Sequence, residues 1–182
     1  GRPSGAGEFL CGTTVRVAAQ SARPVLVLRE PFHWPPRSVL YAAEAPGAPD
    51  DGLRDACAWL RAACPAPAAR GGGEPPVELL VLDAASVGPE SPDRAAELAR
   101  GARRRSGPRL RVTGIRDPRH GRAPAPPAAQ VLEWAERNGC DLVLLHRTGH
   151  ASTALQDRTW YQVLLRAPCA VCLLPGSGRS AA

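Results

Sequence analysis

The chain has 182 residues, enough for one ordinary domain and part of another; it is 44% hydrophobic, only 4% aromatic, and carries a net charge of +6. No run approaches the ~18 apolar residues that a membrane-spanning helix needs, so insertion of the visible chain into a membrane is not expected, and six cysteines are too few for a disulfide scaffold. All 23 basic residues are arginine, and only Arg103, Arg104 and Arg105 cluster, at the end of a predicted helix where cations offset the helix dipole; with no interleaved aromatics to stack bases, a nucleic-acid partner is not expected. A reducing cytoplasm is the expected setting, and the absence of an initiator Met ahead of Gly1 leads us to expect a fragment or a processed chain.

The first predicted element is a helix end at Thr14 to Ser21, stopped by Ala22-Arg23-Pro24. Val25 to Leu28 is a continuous apolar run, which predicts a strand covered on both faces. Pro31-Phe32-His33-Trp34-Pro35-Pro36 can be neither helix interior nor central strand and is expected to be a linker. A regular alternation then begins. Ser38 to Ala43 predicts a buried strand, and Asp50 to about Ala63 a helix with Leu53, Cys57, Leu60 and Cys64 at helical spacing. A Gly/Pro-rich loop over Pro65 to Pro76 leads to a strand at Val77 to Leu82. The next helix, Pro92 to Arg105, starts with Ser91 as cap and Pro in the first position.

Leu110 to Ile115 is the third strand of this alternation, and Asp117 to Pro127 a second loose loop. A helix from Ala128 to Asn138 ends at Gly139, placed to adopt the left-handed stop. Leu142 to Leu145 is the fourth strand; a loop follows over His146 to Ser152, then a helix from Ala154 to Arg166 and a fifth strand at Ala170 to Leu174. The tail from Gly176 is small, polar and expected to be disordered. Five strands alternating with four helices predict an α/β fold: a doubly wound, five-stranded parallel sheet with right-handed crossovers and helices on both faces. Ligands of such sheets sit at the carboxyl ends of the strands where strand order reverses, so the loops after the first and fourth strands are the informative ones.

The stretch Cys140-Asp141-Leu142-Val143-Leu144-Leu145-His146-Arg147-Thr148-Gly149, the final Ala167-Pro168-Cys169-Ala170-Val171-Cys172-Leu173-Leu174 and the helix Gln130 to Gly139 resemble the ending of universal stress protein domains. The resemblance extends over residues 37–176 and implies a Rossmann-like sheet of that family's type. Residues 1–30 resemble the same ending again. Laid on the C-terminal copy, Thr13 falls on Thr159, an offset of 146 residues, and Val17 meets Val163, Val25 meets Val171 and Leu28 meets Leu174. We therefore expect the last helix and strand of a preceding copy in residues 1–30, a linker over 31–36, a complete domain over 37–176 and a tail over 177–182. Related domains pair through their final strands, which implies self-association through those strands or an internal pseudo-dimer in which strand 25–28 meets strand 170–174 antiparallel, with a covalently linked upstream domain.

In nucleotide-binding members of the family, an Asp after the first strand and a G-x-x-G loop followed nine residues later by G-[ST] hold ATP, because small residues let backbone N–H groups approach the phosphates. Here Glu44 replaces the Asp, His146 replaces the first loop Gly and Gly149 keeps the second; either Asp157-Arg158 or Arg158-Thr159 lies at the downstream pair. The residues that would line a nucleotide are thus Glu44, Ala84, Leu145, His146, Arg147, Gly149, His150, Arg158 and Thr159, with Gly12 and Thr13 in the N-terminal copy, beside Gly5 and Gly7. Asp83, at the end of the second strand of the alternation, lies at the same carboxyl edge. ATP is the only candidate cofactor, and none is expected in this domain. His146 and His150 bracket Arg147 but no acidic or thiol set completes a metal site. Cys169-x-x-Cys172 has a redox spacing, yet it runs into a strand, where an odd separation points the two thiols to opposite faces.

No nucleophile elbow, catalytic triad or paired carboxylates stand out, so the chain is not expected to be an enzyme. The leading expectation is a non-enzymatic, universal stress protein-like regulatory or interaction module with a degenerate ATP site. Two alternatives stand beside it. One is the soluble C-terminal regulatory domain of a membrane transporter, on the membrane's cytoplasmic face; the other is a binder of a nucleotide-like anion through His146, Arg147 and His150.

Overall fold

Apolar runs of five or six residues with no polar interruption have both faces to bury, and here they become the middle of a sheet. The computed structural model describes residues 12–43, 51–64, 76–83, 94–106, 110–115, 126–147 and 158–175. Helix α1 (Gly12–Gln20) and strand β1 (Val25–Val27) come first, then β2 (Ser38–Ala43), α2 (Asp51–Ala63), β3 (Val77–Asp83), α3 (Arg94–Ser106) and β4 (Leu110–Ile115). The chain continues through α4 (Pro127–Arg137), β5 (Leu142–His146), α5 (Thr159–Arg166) and β6 (Ala170–Leu174). The strands form one six-stranded sheet in the order β1-β6-β5-β2-β3-β4. The five strands from β2 onward are parallel, as expected, and β1 adds an antiparallel edge.

Strand order reverses at β2. From there the chain winds outward through β3 to β4, then returns to lay β5 on the other side of β2 and β6 beyond it. The helices therefore divide between the two faces, and each face has its own core. Leu40, Ala42, Val143, Leu145, Val171 and Leu173 meet α4, α5 and α1. Their alternating neighbours Val39, Tyr41, Leu142, Leu144 and Cys172 meet α2 and α3. This is the period-two division that a strand imposes. It separates Cys169 from Cys172 as the spacing predicts: the first lies in the α4/α5 core, the second in the α2/α3 core. Burial pushes each thiol up to about 12.

Several element ends shift by a residue or more. Pro127 starts α4 instead of closing the loop before it, the position a helix tolerates best because its missing N–H has no partner there in any case. Gly139 does adopt the left-handed stop, with φ +56. His146, expected to open a loop, is the last residue of β5, opposite Leu174, and the ladder runs on through Arg147 N–H donating to Leu174 O at 2.9 Å. Leu28 lies beyond β1 and is 57% exposed. The start of the helix expected at Ala154 and the tail from Gly176 lie outside the described residues.

The β1–β6 pairing places Val25 opposite Leu173, Leu26 opposite Cys172 and Val27 opposite Val171. An offset of 146 turns Val25 into Val171, Leu26 into Cys172 and Val27 into Leu173, so the register maps onto itself, as a two-fold axis through Leu26 and Cys172 requires. Two arginines reinforce the arrangement. Arg147 Nη1 donates to Ala18 O at 2.9 Å, and its other terminal nitrogen to Ser21 O, at the end of α1. Arg29 Nη2 donates to Leu164 O at 2.7 Å and Leu165 O at 3.1 Å, at the end of α5. Helix ends leave carbonyls without partners, and cations suit that pole. Ala18 and Leu164 are themselves related by the 146-residue offset. The linker is packed, with Phe32 against the α2/α3 core and Trp34 edge-on to Trp59 of α2.

Candidate functional site

In a sheet wound in two directions, the crevice for a ligand opens at the carboxyl ends of the two strands that flank the reversal. Those strands are β2 and β5, paired as Leu40 with Val143 and Ala42 with Leu145. Their opposite, amino-terminal ends are fastened by one side chain: Asp141 Oδ2 accepts the N–H groups of Arg37 at 2.8 Å and Ser38 at 3.0 Å, while Asp141 N–H donates to Ser38 O at 2.9 Å. The Asp of the resembling motif therefore acts as a strand clamp. Beside it, burial pushes the Cys140 thiol up, partly offset by a hydrogen bond from Ser38 Oγ.

At the carboxyl end of β5, His146 is buried. Its Nε2 lies 2.8 Å from Gly52 O in the first turn of α2, and its Nδ1 lies 3.1 Å from Pro175 O beyond β6. Tyr41 of β2 meets the imidazole edge-on, centroids 6.0 Å apart. A Cβ at Gly52 would stand 2.6 Å from the Tyr41 hydroxyl and 3.2 Å from His146 Nε2, so those side chains would have to shift to admit one. Gly12, by contrast, has nothing among the described residues within 4 Å of where its Cβ would be.

Arg147 turns the other way. Consecutive residues at a strand end project to opposite faces, so His146 joins α2 while Arg147 crosses to α1, and burial lowers the guanidinium below its ordinary value. Arg158 and Thr159 stand at the start of α5, where Arg158 O accepts the N–H groups of Tyr161 and Gln162. Leu145 is fully buried in the α4/α5 core. Gly12 and Thr13 open α1 and are exposed. Glu44, Ala84, Gly149 and His150, together with Gly5 and Gly7, lie outside the described residues, as does the side chain of Asp83. Among the described residues no group of three His, Cys, Asp or Glu side chains is placed to hold a metal ion, and no helix is long and apolar enough to cross a membrane. Sequence reasoning missed Tyr41, Gly52 and Pro175 as neighbours of His146; a glycine one residue into a helix was the available signal for the first two.

No protein-family model matches the sequence, and no curated protein matches it. Solved structures do match. A universal stress protein from Archaeoglobus fulgidus DSM 4304 is 18% identical with a TM-score of 0.53, over 90% of this chain and 55% of its own. A second universal stress protein structure, from Archaeoglobus fulgidus, is 15% identical with a TM-score of 0.45, over 75% of this chain and 92% of its own. The hypothetical protein MJ0577, subject of a structure-based assignment of biochemical function, is 12% identical with a TM-score of 0.47, over 78% and 97%. The class that the sheet defines is a doubly wound α/β domain. Its particular fold is that of the universal stress proteins, and the chain spans about half the length of the first of these neighbours.

Proposed function

We propose that this chain is a non-enzymatic regulatory or interaction module on the universal stress protein fold, with a crevice that no longer holds ATP. The observation that carries the reading is the position of His146. Where the resembling pattern has a glycine, so that backbone N–H groups can approach phosphate, this chain has a buried ring whose two nitrogens face backbone carbonyls on two sides. Arg147, the cation nearest that position in sequence, is engaged with the end of α1. A thermal-shift series with ATP, AMP and cyclic nucleotides tests it. A ligand at ~100 times its dissociation constant adds about 2.7 kcal/mol, which in a chain of this size moves the melting temperature by about 5 to 10 °C. We expect no shift; a saturable shift with any of these nucleotides overturns the reading in favour of a nucleotide-binding module.

We further read α1 and β1 as the last helix and strand of a preceding copy of the same fold. The self-consistent register about Leu26 and Cys172 supports this, as does the capping of equivalent carbonyls at Ala18 and Leu164 by arginines from the opposite side. An unrelated N-terminal arm has no reason to satisfy one offset in sequence, strand register and helix capping together.

A further inference from the structure

We infer that His146 is a proton-dependent latch between α2 and the chain leaving β6, a property independent of whether the crevice binds nucleotide. Both ring nitrogens face backbone carbonyl oxygens, Nε2 at 2.8 Å from Gly52 O and Nδ1 at 3.1 Å from Pro175 O. A carbonyl oxygen has no proton to give, so each contact needs an N–H on the ring. A neutral imidazole has one N–H, and an imidazolium has two. Both bonds therefore form only when the ring is doubly protonated. With one proton gone, a nitrogen lone pair is left facing a carbonyl oxygen, and a buried acceptor without its donor is costly.

The surroundings leave few ways to avoid that outcome. The ring is 7% exposed, so water is a poor substitute. Rotating it by half a turn would bring ring carbons to both carbonyls. The close approach of Gly52 and the Tyr41 ring hold it from the α2 side. Among the described residues of the elements packed against it, the titratable and charged groups nearest the ring are Asp51, Arg54 and Asp55 of α2, with Asp51 bonded to Arg54 at 3.0 Å; the Tyr41 phenol of β2; and Arg147, directed to α1. Leu174 and Pro175 of the β6 side contribute none. Among the described residues, the carboxylate next in sequence to the Gly52 acceptor is paired with an arginine.

The latch joins segments 94 and 29 residues from His146 in sequence. When the proton leaves, the shorter contact keeps the remaining N–H. The neutral ring is then the Nε2–H tautomer, still tied to α2, and the exit of β6 at Pro175 is the arm released.

Ring nitrogen chemical shifts test this directly on the full, uniformly 15N-labelled chain. The four histidines are His33, His120, His146 and His150. The His146 signals are assigned by their loss in His146→Gln or, should that variant not fold, by elimination with His33→Gln, His120→Gln and His150→Gln. At the acid end of the series, both nitrogens of His146 should show attached protons. On raising the pH, Nδ1 should lose its proton while Nε2 keeps it, and the backbone amides of Leu53 and Arg147 should move with the same midpoint. A ring with one bare nitrogen at every pH overturns the latch. So does a ring that never releases a proton while the chain is folded, or one that titrates without moving those amides.

Discussion

The two ends of the offset, α1 with β1 and α5 with β6, follow one apolar pattern in sequence and are buried to different depths. Val163 on α5 is wholly buried, whereas Val17, its equivalent on α1, is 52% exposed. All three residues of β1 are half-buried, and all five of β6 are buried. The cause lies in the neighbours: α5 packs under α4, and β6 has β5 on its other side, while among the described residues nothing pairs with the outer edge of β1. A pattern of apolar residues records the surface that a segment is suited to bury. How much it buries is set by what stands beside it.

Substitutions at equivalent positions turn this contrast into numbers. The largest effect belongs to Trp160, 1% exposed and the largest wholly buried side chain: Trp160→Ala should destabilise the chain by about 3 to 5 kcal/mol in urea unfolding, while Thr14→Ala, at the equivalent site on α1, should stay within about 1 kcal/mol. Val163→Ala should lose about 2 kcal/mol and Val17→Ala no more than about 0.5. If α1 belongs to a preceding copy, a longer version of the protein that carries that copy should raise the cost at Val17 toward that at Val163; an unchanged cost there would break the equivalence.

The arginine caps come next. Hydrogen bonds to charged groups contribute about 1.5 to 3 kcal/mol when dry, and these guanidiniums are partly exposed, so Arg147→Gln should cost about 1 kcal/mol and speed amide hydrogen exchange in α1 while sparing α5. Arg29→Gln should do the reverse. Equal exchange in both helices for either variant would show that the caps do not act locally. The smallest effect near neutrality, visible only in alkali, is at Cys169 and Cys172. The folded chain holds these thiol protons to about 12, while an unfolded chain releases them from about 9.0. Their contribution is therefore full below pH 9, where both states keep the proton, and is lost as pH rises from 9 toward 12. The double variant Cys169→Ala/Cys172→Ala should show a shallower fall in stability over that window; the same slope as the parent would refute the assignment.

Much of the fold was legible because its signals are local and repeated. Runs such as Val39 to Ala43 and Leu142 to Leu145 have no polar face to leave in water, and Pro and Gly mark most element ends. The antiparallel meeting of residues 25–27 with 171–173 was legible through the offset taken together with the resemblance, which implies pairing through final strands; periodicity alone carries no such long-range information. The site was less so. The partners of His146 are the carbonyls of Gly52 and Pro175, and a backbone oxygen has no identity in a sequence. Arg147 looked like an anion reader because its distance from α1 along the chain, 129 residues to Ala18, gives no hint of contact. Asp141 belonged to a recognised motif, yet only the geometry distinguishes a carboxylate that clamps two strands from one that faces a ligand.

The two margins of the sheet also end differently. On β4, Arg103 Nε donates to Val112 O at 2.5 Å, so a side chain from the covering helix occupies a carbonyl of the outermost strand, and the edge is blunted against further pairing. The β1 margin, three residues long, has no such plug among the described residues.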